Sequence, residues 1–422
     1  MSVVLFQIEG DTLCATTGLP CATAGLPCAT AGLPSSAAIT IGQANRGTRQ
    51  PGDFPEQAGD CPDFRAAKMG LSPFLCPTLP VVLALALSLT AAAAAEDTVY
   101  ISSTSSSRGS TRLSGQIVDY TGRQLVLQTA GGQARSYPAE NVVKVETPYT
   151  REQVEADARM DRGEFDSALA LYGKARSAEP RTWVRRQITA RMVWCYQALE
   201  RPAEACGEFL VLVESDPETL YFDCIPLAWM PSQPPPALES TARAWLARDD
   251  LPAAVLLGAS HLMNTPSRSE AIERLARLAV AGDGRIAPLA VAQTWRAAVA
   301  TTDPERLRTW QQAIERMPEP LRAGPYYVLG RALAQQGQWE ESALALMRVP
   351  ILYGEHRALA ARSLLDAGRS LEKLGRTTQA ARLYRELIEG RPGTRSADEA
   401  RLRLDEMRGE GRGSLQGGET VE

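Results

Sequence analysis

The feature that most constrains this chain is a helical grammar that recurs along residues 150–405. A small residue is followed four positions later by a large apolar one, and a glycine or proline closes the unit. Ala168 and Tyr172 before Pro180 set the pattern, and Ala205, Phe209 and Leu212 before Pro217 repeat it. Ala254, Gly258, His261 and Pro266 carry it more weakly. It returns in Gly330, Gly337, Trp339, Ser342 and Leu346, and again in Gly368, Gly375, Ala380, Tyr384 and Pro392. Positions four apart share one helix face, so the small residue lets two helices approach while the large one fills the gap to the next pair. Thr150-Arg-Glu-Gln153 reads as a capping box that opens the first helix, and Gly163 ends it. Hydrophobic residues make up 44% of the 422, which is enough to line a core along two or three folded units.

These units resemble tetratricopeptide repeats, helical hairpins with a period of about 34 residues. The small-residue spacings here, Ala168 to Ala205 and Ser342 to Ala380, are slightly longer. The final units, with Tyr353-Gly354-Glu355-His356 between them and Ser396-Ala-Asp-Glu399 opening a last helix, further resemble exported envelope proteins of the Tol-Pal and outer-membrane assembly type. The resemblance implies a mainly α fold, an alpha solenoid of helical hairpins with a concave groove that takes a protein or peptide. Carried over position by position, the groove is lined by Gln153, Asp157, Asp161, Gln187 and Trp194 in the first units, by Tyr327, Arg331 and Gln335, and by Arg369 and Lys373. Arg331, Arg369 and Lys373 would clamp an acidic peptide or carboxylate, with Trp194 and Tyr327 as aromatic anchors. The competing reading makes both aromatics inter-repeat core and the charges a solvated face.

Ahead of the helices the pattern differs. Residues 1–68 hold a seven-residue repeat, Cys14 to Pro20, Cys21 to Pro27 and Cys28 to Pro34, with Gly and Pro in every unit, and read as a disordered low-complexity segment. The evenly spaced cysteines lack the close pair that a zinc site needs. Residues 69–95 read as a signal peptide, an apolar run ending in Ala93-Ala94-Ala95 before Glu96-Asp97. A retained transmembrane helix is the rival, but Pro77 and Pro80 shorten the usable span. Membrane attachment is expected only if the segment is retained. Residues 96–147 carry four short β-branched runs with alternating polarity, a small β-meander or barrel. Ile117, Leu125, Leu127, Val143 and Val145 are expected on its buried face. The remaining divisions are repeat-like hairpins over 148–225, a proline-rich linker over 226–236, irregular hairpins over 237–322, repeats with a capping helix over 323–409, and a disordered tail over 410–422.

Chemistry is sparse. The formal net charge of −4, from 45 basic and 49 acidic residues, gives no global field for nucleic acid, and none is expected as a partner. No phosphate-cradling loop, His-Glu-x-x-His or Gly-x-Ser-x-Gly occurs, so no catalytic residue, metal ligand or cofactor is assigned. Of the two histidines, His261 occupies a core position and His356 a turn, where exposure is expected. Cys195, Cys206 and Cys224 are the cysteines beyond the signal segment, either three buried thiols or one bridge and one free thiol. The expected function is a non-enzymatic interaction scaffold in the periplasm or cell envelope. The alternatives are a self-associating envelope component and a hydrolase whose site the sequence does not display.

Overall fold

A computed structural model describes residues 96–102, 109–280 and 284–416, with side chains to 408. The low-complexity and signal segments therefore lie outside the described residues. The chain is a helical solenoid preceded by a small antiparallel sheet. Among the described residues there are five strands and fourteen α-helices. No described helix is long and apolar enough to cross a membrane.

The strands are β1 (Asp97–Ser102), β2 (Ser110–Tyr120), β3 (Gln124–Gln128), β4 (Ala134–Pro138) and β5 (Val142–Glu146), in the spatial order β4-β3-β2-β1-β5. The sequence pattern gives four of them and omits β1, whose buried face includes Asp97 and Thr98, polar residues that break the expected alternation. Asp97 is satisfied inside by the Ile117 amide at 2.7 Å and the Thr147 hydroxyl at 2.5 Å. β2 changes partner at Gly115, pairing with β1 before it and with β3 after it. A Cβ there would lie 2.3 Å from the Gln128 carbonyl oxygen, so the bend requires glycine. Ile117, Leu125 and Leu127 are buried as expected, but Val143 is 65% exposed. The register slips between Tyr100 and Ile101, whose partners are Lys144 and Val142, and Val143 is the residue left out at the bulge.

The sheet leans on the first helices, α1 (Arg151–Asp161), α2 (Phe165–Ala178) and α3 (Thr182–Ala198), sharing a core in which Val99, Ile117, Leu125 and Leu127 meet Ala156, Tyr172, Trp183 and Ile188. α4 (Pro202–Ser215) adds a polar lock. The buried Arg186 of α3 donates to Asp119 and, at 3.2 Å, to the Tyr120 carbonyl, while the Gly122 amide donates to Asp216 just past α4 at 2.9 Å. At the start of α1 the Thr150 hydroxyl accepts from the Gln153 amide at 3.2 Å. Half of the capping box is therefore formed; the Gln153 side-chain oxygen is buried without a partner.

The array continues through α5 (Pro236–Leu246), α6 (Pro252–Leu262), α7 (Arg268–Val280), α8 (Ile286–Ala298), α9 (Pro304–Arg316), α10 (Ala323–Gln335), α11 (Trp339–Leu352), α12 (Arg357–Lys373), α13 (Thr377–Gly390) and α14 (Arg395–Gln416). The small-then-large pairs do what the grammar implies, since Ala168, Ala205, Ser342 and Ala380 and their partners Tyr172, Phe209, Leu346 and Tyr384 are all fully buried. On the facing helices, a Cβ at Gly330 would lie 2.6 Å from the Leu346 Cγ, and one at Gly368 would lie 2.4 Å from the Tyr384 Cε1. The hairpins close to a distance that only glycine permits. Between α5 and α10 the pattern loosens, and α9 is an unpaired insertion whose Trp310 stacks on Trp295 of α8 at 4.9 Å. Its start is capped by Asp303, whose carboxylate accepts from the Arg306 amide at 2.9 Å ahead of Pro304.

Two expected segments differ. Residues 226–236 are not a free linker: Ile225, Leu227 and Trp229 are buried, because the segment spans the gap between α4 and α5 and carries enough apolar side chains to join the core. The tail is helical through Gln416 rather than disordered from 410, since extending a nucleated helix costs little per residue; residues 417–422 lie outside the described residues. Cys195, Cys206 and Cys224 are buried free thiols, so no bridge joins Cys195 to Cys206.

Candidate functional site

Helices α8, α10, α12 and α14 pack alongside one another and present one polar face. Arg331 and Gln335 lie four apart on α10, and Arg362, Asp366, Arg369 and Lys373 follow one stripe of α12. Together with Trp339 they line a cavity of about 260 Å³.

The charges within it are not equivalent. Asp366 accepts from Arg362 Nε at 3.1 Å, from Arg369 at 3.1 Å and from the Tyr327 hydroxyl at 3.3 Å. Glu399 of α14 accepts from Arg369 at 2.9 Å and from Arg362 at 3.4 Å. Two guanidiniums and two carboxylates thus form a closed network that ties α12 to α14. Arg369, read from sequence as a free clamp, is committed to it. Arg331 and Lys373 have no carboxylate partner among the described residues, and the Arg331 guanidinium sits 5.9 Å from the centre of the Tyr327 ring. Behind Arg331 lies Arg296 of α8, which donates to the Ser260 carbonyl at 2.8 Å and the Gln293 side-chain oxygen at 2.6 Å, both neutral. Burial, and then the neighbouring Arg331 charge, pulls its guanidinium down to about 10. The cavity lining therefore holds two cations without a carboxylate partner among the described residues, Arg331 and Lys373, with Arg296 behind them.

The other sequence candidates fall elsewhere. Tyr327 is fully buried, and burial followed by the Asp366 charge pushes its hydroxyl up, so it is the floor of the groove and not an exposed anchor. Trp194 on α3 is 9% exposed and meets His356 edge-on at 4.7 Å between ring centres. It too is core, the packing partner of an element distant in sequence. Asp157 on α1 accepts from the Tyr172 hydroxyl at 2.5 Å and stands 4.0 Å from Arg191, in the first hairpin and away from this cavity. The structure thus gathers Arg331, Gln335, Arg369 and Lys373 and leaves Asp157 and Trp194 outside. Sequence reading missed Arg362 and Asp366, which share a helical stripe with Arg369, and Arg296, which lies where the repeat pattern fades and offers no signal.

Metal chemistry has no support among the described residues, where no group of three His, Cys, Asp or Glu converges. Asp249 and Asp250 each pair with a different arginine, Arg274 and Arg248.

Residues 362–394 match the family model for the tetratricopeptide repeat. The match covers α12 and α13, the hairpin that carries Asp366, Arg369 and Lys373. No curated protein matches the chain. Among solved structures, an assembly chaperone of RpL4 (Acl4, residues 1–338) is similar at 14% identity over 62% of this chain and 98% of that one, with a TM-score of 0.26. A superposition that loose bears on neither fold nor function.

His356 is half-buried against Trp194 rather than exposed, because α12 begins where α3 passes. Burial lowers it to about 4; burial, with a smaller effect from Arg296, lowers His261 to about 4 as well. Both depart downward from an ordinary value near 6.5, so the unfolded chain takes up more protons and stability falls as pH drops from about 6.5 toward 4. Urea denaturation at pH 7 and pH 4.5 should show the native protein losing roughly 2 to 3 kcal/mol more per histidine than a His261→Gln/His356→Gln variant. Parallel losses in the two proteins would contradict the assignment.

Proposed function

We propose that the chain is a non-catalytic, protein-binding scaffold whose groove along α10 and α12 receives an acidic peptide segment. The observation that carries this reading is the imbalance on one helical face. Arg362 and Arg369 are neutralised by Asp366 and Glu399, while Arg331 and Lys373 are left for a ligand. Networked guanidiniums hold the wall rigid and so reduce what a ligand must order on binding. The unpaired cations supply the attraction, strongest at low salt. The repeat match over the same hairpin supports a protein partner, and the resemblance to envelope repeat proteins supports a role outside the cytoplasm.

A fluorescein-labelled decaglutamate peptide should bind the native chain and bind an Arg331→Glu/Lys373→Glu variant at least about tenfold more weakly, with Tm unchanged, since neither side chain holds a carboxylate. Equal binding would remove the groove from consideration. For the location, the apolar run ending in Ala93-Ala94-Ala95 supports cleavage on export. N-terminal sequencing of the chain recovered from the cells that make it should begin at Glu96; a start at or before Met69 would exclude it.

A further inference from the structure

Both histidines line a second cavity, about 430 Å³, on the other side of Arg362 from the groove. One wall is the proline-rich segment, fixed at three points and, just before it, at Cys224. Gln197 Nε2 donates to the Cys224 carbonyl at 2.7 Å, His261 Nε2 lies 3.1 Å from the Pro226 carbonyl, the Ala228 amide donates to the Ser260 hydroxyl at 2.8 Å, and Asn264 donates to the Ser232 carbonyl at 2.9 Å. Trp229 of this wall lies against Gly324, where a Cβ would sit 1.9 Å from the indole. The wall is a built surface held in one place, and its buried Leu227 and Trp229 face the cavity together with Leu359 of α12.

The opposite side is cationic. The starts of α4, α5 and α12 border the cavity at Pro202, Pro235 and Arg357, and none of these three helices has a side-chain hydrogen bond capping its first turn. Pro202 and Pro236 bring no amide and the Arg357 amide donates to the Glu355 carbonyl at 2.8 Å, so what these first turns offer an anion is the positive end of the helix dipole. Arg201, Arg357, Arg362 and Arg395 stand at the same border; Arg201 pairs with Glu204, and Arg362 and Arg395 pair with Glu399, so Arg357 is the cation left over. Arg357 has no carboxylate partner among the described residues; its guanidinium rests over the Phe165 ring at 4.9 Å. His356, which also lines the cavity, has its Nε2 buried with no hydrogen-bond partner.

A volume in the range of small-molecule sites, one apolar wall and a converging cationic border specify a ligand of two parts. We propose that this cavity binds a small anionic amphiphile, with its carboxylate or phosphate head at Arg357 and the uncapped helix starts and its apolar tail along Leu227, Trp229 and Leu359. The unpaired Arg357 and the helix starts disfavour a cationic head, and the apolar wall makes a bare anion a poor fit. This site is separate from the peptide groove and stands or falls independently of it.

Isothermal titration of the full chain tests the proposal with decanoate, decyl phosphate, inorganic phosphate and decyltrimethylammonium, each below its micellar concentration. Decanoate or decyl phosphate should bind at one site per chain, at least about tenfold tighter than inorganic phosphate, with no binding of the ammonium compound. The preferred head distinguishes a fatty acid from a phosphate-headed source. Arg357→Gln should weaken the preferred ligand about tenfold. Arg395→Gln, at a side chain 88% exposed and therefore safe for folding, should weaken it about twofold to threefold, while Lys373→Gln should leave it unchanged. Equal binding of the anionic and cationic amphiphiles overturns the proposal. So does native affinity in Arg395→Gln together with native affinity or misfolding in Arg357→Gln.

Discussion

The contact on which the arrangement depends is the meeting of α3 with the start of α12. Trp194 presents its ring edge-on to His356, and Arg357 lies over Phe165 of α2. Aromatic pairs of this geometry contribute about 0.5 to 1.5 kcal/mol beyond the area they bury, and a cation over a ring contributes about as much. These are modest energies, but they join elements about 160 residues apart in the chain. They bring the second hairpin against the sixth. Without that contact the proline-rich segment would face solvent on one side, and the larger cavity would have no α12 wall.

Everything between those two hairpins follows from close packing of neighbours. Gly330 and Gly368 admit Leu346 and Tyr384 into space a side chain would occupy, so α10 and α12 sit deep against α11 and α13. Their polar faces then fall side by side, with the glycine face turned inward and the Arg331 and Arg369 face turned to the groove. The same geometry explains why Asp366 can gather three donors from two helices. Buried networks of this kind hold shape when every member is satisfied, and here the two acids satisfy two of the cations and leave the rest outside the network. The two cavities differ accordingly, one lined by charges beside Trp339 and Leu346 and one apolar along its proline-rich wall, with Arg362 lining both.

The fold was largely legible because its determinant is local. Ala168 with Tyr172 and Ala380 with Tyr384 announce a helix pair from four residues, and the turns at Gly163, Gly337 and Gly375, all at positive φ, mark where each pair reverses. Glu200 occupies the equivalent turn at φ 55° without glycine, which is why the second hairpin reads less clearly. The site was half legible. Arg331, Gln335, Arg369 and Lys373 follow from the resemblance to the repeat family, but which of these cations is free depends on Glu399 and Asp366, and no spacing rule brings α14 to α12. Trp194, open between anchor and core, and His356, expected exposed, turn on the same point. Each looked accessible within its own hairpin, and the partner that buries it lies across the array. Val143 adds the case of a single bulge turning an apolar residue outward.

A double-mutant cycle at that closing contact tests the account most directly. Unfolding free energies of the native chain, Trp194→Leu, His356→Leu and the double variant, measured in urea at pH 7, should give a coupling of about 0.5 to 1.5 kcal/mol between the two rings. Effects that add within about 0.3 kcal/mol would mean that α3 and α12 do not meet in solution, and the larger cavity would lose its wall.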